Sequence, residues 1–311
     1  MKILEVNNLT KRFGDKIAVD NLSFYVNEGE IFGLLGPNGA GKSTTINIII
    51  SLLKSSKGEI NIFGKSLNKN ELDIKKNIGV VPQSLAIYEN LTAEENIRFF
   101  AGLYGLSGKN LKEAVDYALD FTGLTEVRKT RAKKFSGGMM RRLNIACAIA
   151  HKPKFIIMDE PTVGIDPQSR NHILRSVKLL QQEGCTILYT SHYMEEVEVL
   201  CNRIVIMDHG KIIAEGSKDE LISLVSDSQN LEIQIDNMEN IDMEKLKSIT
   251  GVKSISVKED NITINSSREI NNLDKIIGFF TSQGVKIKNI DYKNINLEMV
   301  FLNLTGRNLR D

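Results

Sequence analysis

The stretch GPNGAGKST, residues 36–44, lies between an apolar run at 31–35 and a second at 46–50. A buried strand that gives way to a helix across such a loop leaves few folds open. Glycines at 36, 39 and 41 allow backbone angles that other residues avoid and let main-chain N–H groups converge, while the helix that follows points its positive dipole end at the same place. The guest of such a loop is an anion. Lys42 reaches the outer oxygens of a polyphosphate as a point charge, and the Ser43 hydroxyl is placed to ligate Mg²⁺, the pattern of a Walker A loop. Strand before and helix after set it apart from an ordinary glycine-rich turn.

Upstream, residues 2–6 and 16–26 alternate or run β-branched about a turn at Gly14 and Asp15, so a β-rich layer precedes the loop. Phe13, beside that turn, reads from spacing as an apolar residue covering a sheet, and its ring is also of a kind that stacks on adenine. Downstream, 58–63 and 78–81 read as strands and 72–76 as a short helix. Pro82 and Gln83 then fall at a strand's carboxyl end, the edge where open α/β sheets hold ligands, although an exposed loop amide is the simplest reading of Gln83 alone. From residue 92 to 150 the pattern is helical, opened by a capping box of Thr92 with Glu95. Near its end Ser136, Gly137 and Gly138 start a helix, equally a plain N-cap or a second anion site. Arg141 and Arg142, just beyond, read as solvated.

Residues 155–158 form an unbroken apolar run ending in Asp159, Glu160 and Pro161, as a strand buried on both faces delivers acids to a sheet edge. Asp159 suits the Walker B role of holding Mg²⁺, and Glu160 that of orienting and polarising an attacking water. Asp166 followed by Pro167 caps a helix that runs to about residue 182, and 185–190 is another buried strand with Ser191 and His192 at its end. A lone His is usually structural or solvent-exposed, but His192 shares an edge with Lys42, Gln83 and Asp159, which suits contact with a terminal phosphate. Residues 203–208 and 211–215 read as a hairpin around His209 and Gly210. After a polar linker at 226–230 the order is strand, helix, strand, strand, helix, strand, a ferredoxin-like βαββαβ arrangement without an evident catalytic constellation.

A length of 311 residues suits one large domain and one smaller, and a net charge of +1 gives no electrostatic reason to expect nucleic acid or an anionic membrane surface as partner. Cys147, Cys185 and Cys201 lie far apart in apolar contexts, which suggests neither disulfides nor a zinc site and fits a reducing cytosol. No apolar run approaches the length that spans a bilayer, and the first residues read as strand rather than signal peptide. A membrane role therefore requires another polypeptide.

Together the phosphate loop, Gln83, FSGGM, FIIMDE, Gly164-Ile165-Asp166 and His192 stand in the order and spacing of an ATP-binding-cassette (ABC) transporter ATPase, which the chain resembles over about residues 1–225. The resemblance implies an α/β P-loop ATPase core with an N-terminal antiparallel β-layer and a helical subdomain at about 84–150, then the linker and a ferredoxin-like accessory domain at 231–311. It implies ATP and Mg²⁺ as cofactors, with ATP held by Phe13, Gly36, Pro37, Asn38, Gly39, Ala40, Gly41, Lys42, Ser43, Thr44 and Gln83. Mg²⁺ falls to Ser43, Gln83 and Asp159, and turnover to Glu160, His192 and Lys42. Two subunits are expected to meet head to tail on ATP, each offering a signature (Ser136, Gly137, Gly138 and Met139) to the other's nucleotide, with Asp166 as the D-loop residue. Phe135 and Met139 depart from the commoner LSGGQ, but the serine and glycine amides are kept.

The final stretch, LEMVFLNLTGRNLRD, resembles ATPases paired with ABC-2-type permeases, often exporters of drugs, antibiotics or polysaccharides. This places the chain in the cytoplasm, peripheral on the inner face of the membrane through its permease, with no nucleic acid expected. A soluble single-cassette ATPase with a nucleic-acid or ribosome-linked role is the alternative; such relatives usually carry two cassettes or a long coiled coil. Glu160 after Asp159 argues against a non-hydrolysing regulator. In the loop after Gln83, Leu85, Ile87, Tyr88 and Leu91 are the expected permease seat, with at least two exposed and with Phe99, Phe100 and Tyr104 as a wall.

Overall fold

The computed structural model describes residues 1–225, 228–236, 241–258, 261–267, 269–293 and 296–305. Its contacts divide into two units, which among the described residues are Met1–Lys218 and Asp219–Thr305. In the first, the alternating N-terminal segments pair as an antiparallel hairpin, β1 (Lys2–Phe13) with β2 (Lys16–Asn27), followed by β3 (Ile31–Leu35) and α1 (Lys42–Ile49). Next come β4 (Lys57–Ile62), the two-residue β5 (Lys65–Ser66), α2 (Glu71–Lys75) and β6 (Ile78–Val81). A helical block of α3 (Ala93–Leu103), α4 (Gly108–Phe121) and α5 (Gly137–Ile149) intervenes before β7 (Phe155–Asp159), α6 (Pro167–Gln182) and β8 (Thr186–Ser191). The unit continues through α7 (Met194–Leu200), β9 (Arg203–Asp208) and β10 (Lys211–Gly216).

Two sheets follow from these segments. The antiparallel one has the order β2-β1-β4-β5, and the larger one β10-β9-β3-β8-β7-β6, parallel except for the edge strand β10. Successive residues of its inner strands serve different cores, which is why those strands read as continuous apolar runs. Ile156, Ile187 and Tyr189 pack with Val115, Leu119 and Leu143 on the helical side. Their neighbours Ile157 and Leu188 join Leu4, Leu22 and Ile49 on the β-layer side. Helix α7 has no counterpart in the sequence reading: it is short, and Tyr193 at its start makes no side-chain cap.

The second unit opens with α8 (Lys218–Ser223) at the division, then β11 (Ser228–Ile235), α9 (Met243–Lys247), β12 (Val252–Lys258), β13 (Asn261–Ser267), α10 (Leu273–Ser282), β14 (Ile287–Lys293) and α11 (Leu297–Thr305). Its antiparallel sheet, β12-β13-β11-β14, gives the expected ferredoxin-like topology. One sheet face, with Leu231, Ile233 and Ile264, meets Ile276 and Phe280 of α10. The division at Lys218 precedes the expected boundary at 225, and part of the expected linker, 228–230, is strand because it pairs with β13 from Ser228 opposite Ser267. Residues 226 and 227, and the last six of the expected accessory domain, lie outside the described residues. Among the described residues no helix is long and apolar enough to cross a membrane.

Candidate active site

Four parallel strands end side by side. Leu35 is in register with Ser191, Thr190 with Asp159, and Met158 with Val81, so the loop after β3, His192 after β8, Glu160 after β7 and Gln83 after β6 emerge along one sheet edge. A cavity of about 550 Å³ opens there, lined among others by Phe13, Lys16, Gly39, Lys42, Gln83 and Glu160. Pro37, Asn38, Ala40, Ser43 and Thr44 also border it. Gly41, the N-cap of α1, takes φ 104°, and Gly39 takes φ 81°. Side chains with a Cβ are strained at such angles, so the loop's shape depends on glycine there.

Lys42 is 5% exposed and donates to the carbonyls of Gly36 (2.6 Å) and Pro37 (3.1 Å), folding back on the loop that carries it. Burial lowers its ammonium below the ordinary lysine range, against the opposing charges of Glu160 and Asp159. Glu160 is equally buried, and its Oε1 lies 4.0 Å from the Lys42 Nζ. Its Oε2 accepts from Gln83 Nε2 (3.0 Å) and faces His192 Nδ1 at 3.2 Å, which makes Nδ1 the protonated nitrogen when His192 is neutral. Residues from two strand ends and the phosphate loop thus meet on the carboxylate that follows a third.

Asp159 and Glu160 are set by Thr190, whose hydroxyl donates to Asp159 Oδ1 (2.7 Å) and accepts from the Glu160 N–H (2.9 Å). Burial raises the Asp159 carboxyl above its ordinary range, and the charge of Glu160 adds to this, while hydrogen bonds from Thr190 and Ser43 oppose it. Adjacent acids in this setting favour a cation between themselves and a polyphosphate. Among the described residues no cluster of three or more His, Cys, Asp or Glu is arranged to hold a metal on its own. One carboxylate, a hydroxyl at Ser43 and an amide at Gln83 match Mg²⁺, which keeps waters and takes phosphate oxygens to complete its shell.

Residues 19–163 match a family model described as ABC transporter. The chain is 43% identical over 311 residues to the linearmycin resistance ATP-binding protein of Bacillus subtilis (strain 168), covering 99% of this chain and 100% of that protein. The chain belongs to the ABC transporter ATP-binding proteins. This ABC ATPase is also 36% identical over 310 residues to Nod factor export ATP-binding protein I of Sinorhizobium fredii (strain NBRC 101917 / NGR234), covering 99% of the chain and 87% of the relative. A solved ATP-binding subunit of an ABC transporter superposes with a TM-score of 0.66 at 32% identity, covering 71% of this chain and 92% of that one. A cassette solved as a dimer in a post-hydrolysis state with ADP and Pi superposes with a TM-score of 0.62 at 28% identity, covering 69% and 98%.

In this ABC ATPase the segment read in the sequence as the signature, Ser136 to Met139, lies away from the cavity lining. Ser136 caps α5 by accepting from the Met139 N–H (3.2 Å), while Phe135 is buried and Met139 packs partly against the helical core. Asp166 caps α6, accepting from the Ser169 N–H at 2.9 Å. Phe13 is 49% exposed at the cavity, with the Lys11 ammonium 4.9 Å from its ring centre.

Arg141 is not solvated. It is 5% exposed, and its guanidinium donates to the carbonyls of Pro82 (2.9 Å) and Gln83 (2.7 Å), because α5 runs directly beneath the loop after β6. Arg142 likewise donates to Thr122 O (2.9 Å) and Gly123 O (3.2 Å). Thr190 and the buried Glu196 were also beyond the sequence reading, and His209 was read only as a hairpin turn. His209 borders the cavity because its hairpin turn, with φ 46° at His209 and 78° at Gly210, brings the Gly210 N–H within 2.9 Å of Ala40 O. Thr190 stands in a buried strand, TILYTS, that also holds Thr186, Tyr189 and Ser191, so nothing in the sequence singled it out.

Proposed function

We propose that this ABC ATPase binds Mg-ATP at the phosphate loop, closes head to tail with a second copy, and thereby moves a separate ABC-2-type permease that exports its cargo. The convergence of Lys42, Gln83 and His192 on Glu160 carries the reading, because it joins the group that holds phosphates to the groups that would sense and attack the terminal one. Phe13 stacks on the adenine, the loop amides and Lys42 hold the phosphates, and Ser43, Gln83 and Asp159 hold Mg²⁺. When bound, the ion offsets charge on the phosphate oxygens. Glu160 orients and polarises the water, and His192 fixes Glu160 and the terminal phosphate relative to each other.

Ser136, Gly137, Gly138 and Met139 face the ATP of the second copy, with Asp166 at the same junction. The names of the relatives, one for resistance and one for Nod factor export, favour export over a nucleic-acid or ribosome-linked role. In this reading the subunit is cytoplasmic and peripheral on the inner face of the membrane. The test is Glu160→Gln with light scattering: Mg-ATP should convert the variant from monomer to dimer. A variant that binds ATP and stays monomeric at high protein concentration, with permease present, counts against closure.

A further inference from the structure

The two signature glycines have different surroundings. A Cβ at 138 would stand 2.5 Å from Ser169 Cβ, closer still to Ser169 Oγ, and 3.3 Å from Asp166 Oδ2, whereas a Cβ at 137 would meet nothing within 4 Å. Carbon atoms pack at about 3.5–4.0 Å, so the first turn of α6 lies against Gly138 too closely for any side chain. Rotating the Ser169 hydroxyl would not relieve this, since Cβ is fixed to the helix backbone.

Nor is that turn free to retreat. Asp166 caps it, and hydrogen bonds from the Ser169 amide and hydroxyl hold the Asp166 carboxyl below its ordinary range. The next residue, Arg170, is ion-paired through Nε to Glu196 Oε1 at 2.6 Å. Glu196 is 1% exposed, and its Oε2 accepts from Thr162 (2.9 Å), Tyr189 (2.8 Å) and Ser191 (2.9 Å). Ser191 in turn accepts from the Tyr193 N–H at 2.9 Å, which holds the backbone on both sides of His192.

We propose that Ser169 is a positioning residue for the signature. Its Cβ and the first turn of α6 form the seat of Gly138, fixing where the Ser136 hydroxyl and the amides of the glycines are offered to a second copy's ATP. This rests on the head-to-tail reading above. Through Arg170 and Glu196 the same turn is tied to the segment around His192, so the signature given to one site stays in register with the switch of the other.

The experiment uses full-length chains carrying Glu160→Gln and reads ATP-dependent dimerisation by light scattering beside the thermal midpoint. Adding Gly138→Ala should lower the midpoint by about 3–9 °C and raise the ATP needed for half-dimerisation at least ~10-fold, a penalty of about 1.4 kcal/mol. Combining Gly138→Ala with Ser169→Gly should return both readouts to near those of the Ser169→Gly parent, whereas Gly138→Ala with Ser169→Ala, which keeps the Cβ, should not recover. Dimerisation by Gly138→Ala equal to its parent overturns the proposal. So does recovery of the midpoint without recovery of dimerisation, which would mean that Gly138 is needed only for its bare approach to phosphate. A parent that never dimerises, even with permease present, overturns the head-to-tail reading itself and the positioning role with it.

Discussion

Glu160 holds a conformation that its own chemistry disfavours. Its φ is 47°, in the left-handed region, and its side chain is buried, so both the backbone and the charge depend on neighbours that came from distant sequence. Thr190 fixes the backbone, and Gln83, His192 and Lys42 surround the carboxylate. Glu160→Gln keeps shape and loses the proposed base, so turnover should fall at least ~100-fold while ATP affinity stays within about threefold. Lys42→Ala should weaken both. Fluorescent-nucleotide titration and steady-state phosphate release separate the two, and undiminished release from Glu160→Gln would remove the assigned role. The phosphate loop and the paired acids were legible because each is contiguous and framed by an apolar strand. Thr190 and Arg141 were not, since their partners lie 30 and about 60 residues away and only the folded sheet brings them together.

Helix α5 is joined to β6 and its following loop by two polar clamps. One is Arg141 on Pro82 and Gln83; the other is at the far end, where His151 Nε2 lies 3.2 Å from Ile78 O and the ring stacks on Tyr104 at 3.5 Å. Arg141→Ala leaves two carbonyls without their donor and should cost about 2–4 kcal/mol by chemical denaturation. An unchanged midpoint would show the clamp to be dispensable. Burial pulls the His151 pKa down to about 4 from 6.5. The folded state therefore resists the proton that the unfolded chain accepts: the stabilising contribution is complete above about pH 6.5 and is lost as pH falls toward 4. Between about pH 7.5 and 5 the wild type should lose about 1–2 kcal/mol more than His151→Phe, and parallel losses would refute the assignment. Cap signals at Thr92, Ser136 and Asp166 made the helix starts of α3, α5 and α6 readable. Arg141 was misjudged because a charged pair of residues beside a surface motif looks solvated until the helix is seen to run beneath a loop.

On the scale of the whole molecule, the ATPase unit presents an apolar cavity of about 910 Å³ beside the loop after Gln83, lined in part by Ile46, Leu52, Leu72, Phe100, Leu103 and Tyr104. Leu85 and Tyr88 are 38% and 50% exposed next to it, whereas Ile87 and Leu91 are half-buried. Two of the four expected loop residues thus face solvent, and Leu52, Leu72 and Leu103 enlarge the face beyond the sequence reading. As the proposed seat of the permease, it should tolerate Leu85→Asp and Tyr88→Asp in the isolated subunit, leaving basal ATPase activity within about twofold while transport and permease co-purification fall. Transport at wild-type level would move the docking site elsewhere. The Glu196 network sets a different limit, on how such proteins can be recombined. Thr162, Arg170, Tyr189, Ser191 and Glu196 come from separate stretches yet share one buried carboxylate. A graft that exchanges only the stretch around His192 with a homologue lacking this arrangement strands a buried charge, so viable chimaeras must inherit all five residues as one block.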